Sequence, residues 1–231
     1  MAGATGATGP QGETGATGPI PCFCRGTLIR TPEGERFVEE LRAGDVVETA
    51  TGRRAVVGWV GHRRLRTDLH PAPHTVLPVR IAAGAFAPGL PVRDLMVSPG
   101  HGVLVQSASG DVLVPAGELI NGRTVTRLDT REVEYFHIEL DRHDIVVSEG
   151  LPTESYLDCG DRANFANGGL PMTLHPTFAA MIHEGGCAPF ALVGPAVDAI
   201  RATLITRADA LAAEPARPAR LAALRFLGRA G

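Results

Sequence analysis

Lysine is missing from this chain. All 22 basic side chains among its 231 residues are arginine, which we read as a matter of composition rather than of function. Basic excess is missing too: 25 acidic side chains give a formal net charge of -3 and an isoelectric point near 6.2. A protein that neutralises phosphates needs surplus positive charge, so nucleic acid is not an expected partner. No apolar run approaches the roughly 18 residues of a bilayer-spanning helix, so no membrane span is expected. The N-terminus lacks the charged head and apolar stretch of a secretory signal, which leaves the compartment unknown. Cysteine is scarce, with Cys22, Cys24, Cys159 and Cys187 only. Cys159 and Cys187 either pair or stay free. Cys22 and Cys24 stand too close for a zinc knuckle and have no second cysteine pair after them, so no metal and no cofactor are expected.

What is present falls into three textures. Glycine occupies positions 3, 6, 9, 12, 15 and 18, an unbroken G-X-Y period. Only glycine fits the axis of a triple helix, so residues 1-21 read as a collagen-like segment. It carries prolines only at Pro10, Pro19 and Pro21, and in an isolated chain we expect disorder. A homotrimer through this arm is the assembly it points to, and such repeats lean towards the cell surface or beyond.

From Cys22 to Asp158 the texture is β. Short apolar runs at 55-60, 79-81, 102-105, 112-114 and 136-140 are separated by turn formers. Ser109-Gly110-Asp111, Asn121-Gly122 and Thr51-Gly52-Arg53 read as hairpin turns. Helix enters as brief pieces near Phe37 to Leu41 and Pro115 to Leu119. The expectation is an all-β unit of hairpins. Residues 159-231 change again, to a glycine-rich loop over 159-188 and then a helical extension. Val197, Ile200, Leu204, Ala208 and Leu211 fall three or four apart, marking one face of a helix that starts near Pro195. Leu221 to Leu227 suggest a second, shorter helix.

The junction Pro21-Cys22-Phe23-Cys24-Arg25-Gly26-Thr27 carries the chemistry. A thiol is the strongest neutral-pH nucleophile among the side chains, and Cys22 directly follows the Pro21 carbonyl. Attack on that carbonyl is intramolecular, so orientation alone removes about 7 to 11 kcal/mol of barrier in a well-placed geometry. Departure of the amide nitrogen needs a proton, and the oxyanion needs donors. Ser98-Pro99-Gly100-His101 offers both: His101 to protonate the nitrogen, Ser98 to position the carbonyl or its oxyanion. Cys24 reads as packing. Gly44-Asp45 and Asp94 read as turn-forming, Trp59 as core and His143 as structural, while His62, His70, His74, His175 and His183 show no ligand pattern.

The stretch CFCRGTLIRTPEGERFVEELRAGDVVET resembles the opening of the Hint superfamily, the self-processing domain shared by inteins and the hedgehog C-terminal region. Cys22 stands four residues before Gly26-Thr27, and Leu41-Arg42-Ala43-Gly44-Asp45-Val46-Val47 is similar to the family's following segment. Ser98 and His101 match its Thr-x-x-His motif with serine substituted. PVRIAAGAFAPGLPVRDLMVSPGHGVLV resembles the bacterial hedgehog/intein-like subgroup. The resemblance covers residues 22-158. It implies a Hint-type horseshoe of β-hairpins, with cleavage between Pro21 and Cys22 by an N-to-S acyl shift, and it puts His137 where a side chain assists that shift. Where inteins end in His-Asn this chain has Glu154-Ser155, so splicing is not implied. Val57-Gly58-Trp59-Val60-Gly61-His62-Arg63 holds no acid, so the sterol transfer of hedgehog domains is not implied either. The substrate is then the chain's own N-terminal segment, and the acceptor water or another external nucleophile. Against this stands a non-catalytic β-module of the same fold, displayed on a collagen-like arm.

Overall fold

The computed structural model describes residues 20-107, 110-158, 162-168 and 186-213. Thirteen strands carry the fold: β1 (Phe23–Cys24), β2 (Leu28–Thr31), β3 (Gly34–Phe37), β4 (Val46–Glu48), β5 (Arg54–Arg66), β6 (Val79–Ile81), β7 (Leu95–Val97), β8 (Gly102–Val105), β9 (Val112–Pro115), β10 (Val125–Arg127), β11 (Glu132–Leu140), β12 (Ile145–Ser148) and β13 (Leu151–Glu154). They form two antiparallel sheets, ordered β10-β6-β7-β1-β11-β5-β4 and β3-β2-β12-β13-β8-β9. The single helix among the described residues longer than one turn, α1 (Pro195–Ala213), follows them.

Each apolar run becomes a strand for the reason its spacing gives. In β11 the buried residues Val133, Tyr135 and His137 alternate with more exposed ones, and Ile138 then breaks the alternation. The break lies beside a β-bulge, where Glu139 pairs with Trp59 and Leu140 with Val57, leaving Gly58 as the extra residue. The long β5–β11 ribbon is thereby bent, and its two ends serve different cores. Phe23, Ile29, Leu41, Leu95, Val97, Val103, Leu119 and Ile138 form the main one between the sheets. A second cluster holds Cys22, Cys24, Tyr135, Tyr156 and Phe165, with Trp59 packed on it. Arg162 lies over the Trp59 ring at 4.7 Å and pairs with Glu139. Trp59 is thus a half-buried cap rather than a central core residue.

The β12–β13 hairpin turns on Glu149 and Gly150, both with positive φ (48° and 84°), as a tight two-residue turn requires. Glycine adopts that conformation freely and glutamate does not. Glu149 is held there by its carboxylate, which accepts the Leu28 N–H at 2.8 Å and both Arg93 guanidinium donors. The Thr51-Gly52-Arg53 turn closes β4–β5, with the Thr49 N–H on the Arg53 carbonyl. The β8–β9 turn contains Gly110, and Ser109 lies outside the described residues. Asn121-Gly122 is a turn but not a hairpin. Asn121 Oδ1 accepts the N–H groups of Arg123, Thr124 and Val125, sending the chain from a 3₁₀ turn at Ala116–Leu119 into β10 of the other sheet.

Helix α1 buries Val197, Leu204 and Ala208. It docks on the β unit through Arg201, which donates to the Glu118 carbonyl and carboxylate, and through Arg207, which donates to the Gly84 carbonyl. No helix among the described residues is long and apolar enough to cross a membrane. The G-X-Y segment, Cys159, most of the glycine-rich loop and residues 221-227, where a second helix is expected, lie outside the described residues.

Candidate functional site

Strand β1 is only two residues long, yet it sits inside the seven-stranded sheet between β7 and β11. Its register decides the site. Phe23 pairs with Val97 on one side and with Phe136 on the other. One step towards the N-terminus, Cys22 therefore stands between Ser98, just after β7, and His137 of β11. The first residue before β8 is His101, in the second sheet. All four residues singled out from the sequence converge, and all are buried.

Ser98 binds the chain on both sides of Pro21. Its Oγ accepts the Cys22 N–H at 2.8 Å and donates to the Ile20 carbonyl at 2.7 Å, while its own N–H donates to the Cys22 carbonyl at 2.8 Å. The sequence expectation that Ser98 positions the carbonyl of the Pro21-Cys22 bond, or its oxyanion, is not what these contacts do. The hydroxyl holds that bond's nitrogen and the carbonyl one residue upstream, because β7 ends level with Cys22 and brings Oγ to the nitrogen side.

Period-two alternation splits the neighbours of Cys22. Phe23 points into the main core and packs its ring against His101, with centroids 4.2 Å apart, and more loosely against His137 at 5.8 Å. Cys22 and Cys24 face the other way, into the cluster of Tyr135, Tyr156 and Phe165. Burial pushes the Cys24 thiol up to about 12, which makes it a packing residue. Cys24→Ala is therefore expected to leave any reaction at Cys22 within about twofold of wild type, since an un-ionised buried thiol supplies no nucleophile. A time course of intact mass checks it.

The two histidines are buried. The His101 and His137 rings lie 5.2 Å apart. Neither nitrogen of His101, nor Nε2 of His137, has a hydrogen-bond partner among the described residues. Burial lowers His101 to about 3, with the Cys22 main chain opposing the shift. Burial also holds His137 well below the usual imidazole range, and His101 and His143 lower it further. Both rings are neutral at pH 7. His137 Nδ1 accepts the Ile138 N–H at 3.2 Å, which places its proton on Nε2. Buried polar atoms left without partners are scarce in folded proteins and concentrate where chemistry is done.

One buried charged group beside the site was not legible from motifs. Glu154, which the sequence marks only as a departure from His-Asn, is a buried carboxylate that accepts the Gly102 N–H at 2.5 Å, one residue from His101. Burial raises its pKa, while His143 and that N–H pull it back. The signal available was a glutamate ending the short segment Leu151-Pro152-Thr153. Turn roles for Asp45 and Asp94 are visible: Asp45 accepts the Arg42 N–H at 2.7 Å, and Asp94 the Ala83 N–H at 2.8 Å.

No curated protein matches this chain. Among solved structures, a bacterial intein-like domain from Clostridium thermocellum is 16% identical, with a TM-score of 0.41, over 58% of this chain and 98% of its own. A DnaB intein from Synechocystis sp. PCC 6803 is 11% identical, with a TM-score of 0.40, over 59% of this chain and 99% of its own. The family model for the Hint domain matches residues 21–160, from the residue before Cys22 to just past the end of β13. The chain belongs to the Hint domain family.

Proposed function

We propose that this protein cuts itself between Pro21 and Cys22 by an N-to-S acyl shift. The observation that carries the reading is the Ser98 clamp, a single hydroxyl bonded on both sides of Pro21 beside a buried cysteine. The Cys22 sulfur attacks the Pro21 carbonyl carbon. The thiol proton leaves as the C–S bond forms, and the C–N bond breaks as the Cys22 nitrogen takes up a proton. His101, neutral beforehand, receives the first proton and delivers the second. This order follows from its burial, since an imidazole lowered to about 3 cannot start as an acid at pH 7. Ser98 keeps the nitrogen's N–H engaged, and His137 carries its proton on Nε2. The product is a thioester of Pro21 on Cys22, which water or an external nucleophile resolves. Residues 1-21 are the substrate and the released piece, and the bacterial hedgehog/intein-like subgroup is the branch of the family this sequence resembles.

Splicing is not part of the proposal. At the end of β13 the chain carries Glu154-Ser155, which offers no side-chain amide to cyclise. Ser155 Oγ instead accepts the Asp144 N–H at 2.9 Å. The competing reading, an inert β-module on a collagen-like arm, predicts no bond cleavage. Intact mass of the purified full chain at neutral pH, with and without hydroxylamine, separates the two. Self-cleavage gives a species beginning at Cys22 that hydroxylamine accelerates, whereas an unchanged full-length mass under both conditions supports the inert module.

A further inference from the structure

The imidazole of His101 has no polar tether of its own, since neither ring nitrogen has a hydrogen-bond partner among the described residues. Its place beside Cys22 is therefore inherited from its main chain and from the Phe23 ring packed on it at 4.2 Å. That main chain is held at three successive points. The His101 N–H donates to the Ser98 carbonyl at 3.1 Å, and the His101 carbonyl accepts the Ala116 N–H at 2.9 Å. The third point is the N–H of Gly102, which donates to Oε1 of Glu154 at 2.5 Å.

The register and packing of β13 make that contact specific. Strands β13 and β8 pair antiparallel with Thr153 opposite Val103, so Glu154 stands opposite Gly102, one step along. Gly102 brings no side chain to this place. A Cβ on it would lie 2.9 Å from Glu154 Oε1 and 3.2 Å from Leu113 Cδ2, so the carboxylate fills the space that a larger residue would need. Glu154 is 2% exposed, and burying a carboxylate is costly unless its oxygens are engaged. Oε1 holds the Gly102 N–H, while Oε2 lies 3.6 Å from Nε2 of the buried His143 side chain, within ion-pair range. A hydrogen bond to a carboxylate is about twice as strong as one between neutral groups, and a low-dielectric interior strengthens it further.

We propose that Glu154 is a positioning residue for the acyl shift, fixing the main chain at His101 through the Gly102 N–H and so keeping the imidazole in reach of the Cys22 sulfur and nitrogen. This rests on the reading that His101 relays the proton at the Pro21-Cys22 bond. The role is geometric, with no proton passing through Glu154. Proton transfer requires heavy atoms within about 2.6 to 3.2 Å of each other. A misplacement of about 1 Å at a reacting group costs about 10²-fold in rate. A contact one residue from an otherwise untethered imidazole therefore has leverage on the reaction.

Two substitutions separate the hydrogen bond from the charge. Glu154→Gln removes the charge but keeps an oxygen for the Gly102 N–H, whereas Glu154→Met keeps the length and offers no oxygen. In a mass time course on the full chain at pH 7, Glu154→Met is expected to slow the species beginning at Cys22 by about 10²-fold, and Glu154→Gln by no more than about threefold. A second readout needs no cleavage. In Cys22→Ala, nuclear Overhauser contacts between the His101 and Phe23 rings should persist when Glu154→Gln is added and weaken when Glu154→Met is added. Where circular dichroism shows that Glu154→Met fails to fold, Gly102→Ala decides both readouts, because its Cβ displaces the carboxylate from the N–H while Glu154 remains. Wild-type cleavage or unchanged ring contacts in a folded variant without the bond overturns the positioning role. Equal slowing by Gln and Met overturns it too, since the effect then belongs to the charge. A wild-type chain that keeps its full mass in hydroxylamine overturns the acyl shift instead, and the ring contacts still decide whether Glu154 places His101.

Discussion

Cys22→Ala is expected to hold the chain at full mass indefinitely, hydroxylamine included, while His101→Gln slows release of residues 1-21 by about 10² to 10⁴-fold, the range in which positioned proton transfer contributes. The two variants fail for different reasons. Alanine removes the atom that forms the new bond, so no thioester exists for hydroxylamine to intercept. Glutamine leaves the thiol and the Ser98 clamp in place but cannot carry a proton from sulfur to nitrogen. Residual cleavage in His101→Gln should therefore remain sensitive to hydroxylamine. A mass time course on the two proteins reads both effects. Full-rate cleavage in His101→Gln would remove the proton relay from the mechanism and leave only the clamp. Cleavage at the same bond in Cys22→Ala would remove the acyl shift itself.

The clamp explains why a two-residue strand suffices for such a site. Isolated, Phe23–Cys24 would have little to fix it. Inside the sheet it is paired on both sides, and Phe23 is buried against His101. Every group placed around Cys22 thus comes from a residue adjacent in register to a core side chain: Ser98 follows Val97, His137 follows Phe136, and His101 precedes Gly102 and Val103. Packing and positioning are the same set of contacts.

How much of this was readable from the chain depends on the distance over which the information is written. Strands at 79-81, 102-105 and 112-114 follow from local apolar runs, and the face of α1 from a three-four spacing, because both are properties of neighbours in sequence. Cys22, Ser98 and His101 were legible as motif residues, and β1 pairing shows how they meet. What Ser98 touches was not legible, since whether its hydroxyl reaches the nitrogen or the carbonyl side of Pro21 depends on where β7 ends relative to β1. Asn121-Gly122 carries a hairpin signal and makes a turn, yet the strand after it pairs in the other sheet. That choice is made by β10 pairing with β6, far away in the chain. Glu154 was opaque for the same reason. It ends β13, and only the pairing of β13 with β8 brings it to the Gly102 N–H.

Acid is expected to unfold this protein through its buried histidines well before a typical surface imidazole would matter. His101 is lowered from 6.5 to about 3 in the fold, so the unfolded chain binds a proton that the folded chain refuses. The stability tied to its neutral state is fully present above pH 6.5 and is lost as pH falls from 6.5 towards 3. Over the window from pH 6.5 to 4 that loss is on the order of 3 kcal/mol, at about 1.4 kcal/mol per pH unit. His137 is shifted in the same direction by burial and by its two histidine neighbours, and adds to the slope. His143 runs the opposite way. Raised to about 9, it contributes stability that is complete below 6.5 and lost as pH rises through 9, so it does not mask the acid limb. Urea unfolding of Cys22→Ala at pH 7, 6, 5 and 4 gives the slope on an uncut chain, and the same series with His101→Gln added isolates one ring. The double variant should be less steep by about one proton's worth, 1.4 kcal/mol per pH unit, below pH 6. Equal slopes would mean that His101 takes up its proton in the folded state without penalty. In that case it would not be the buried, neutral base on which the acyl shift depends.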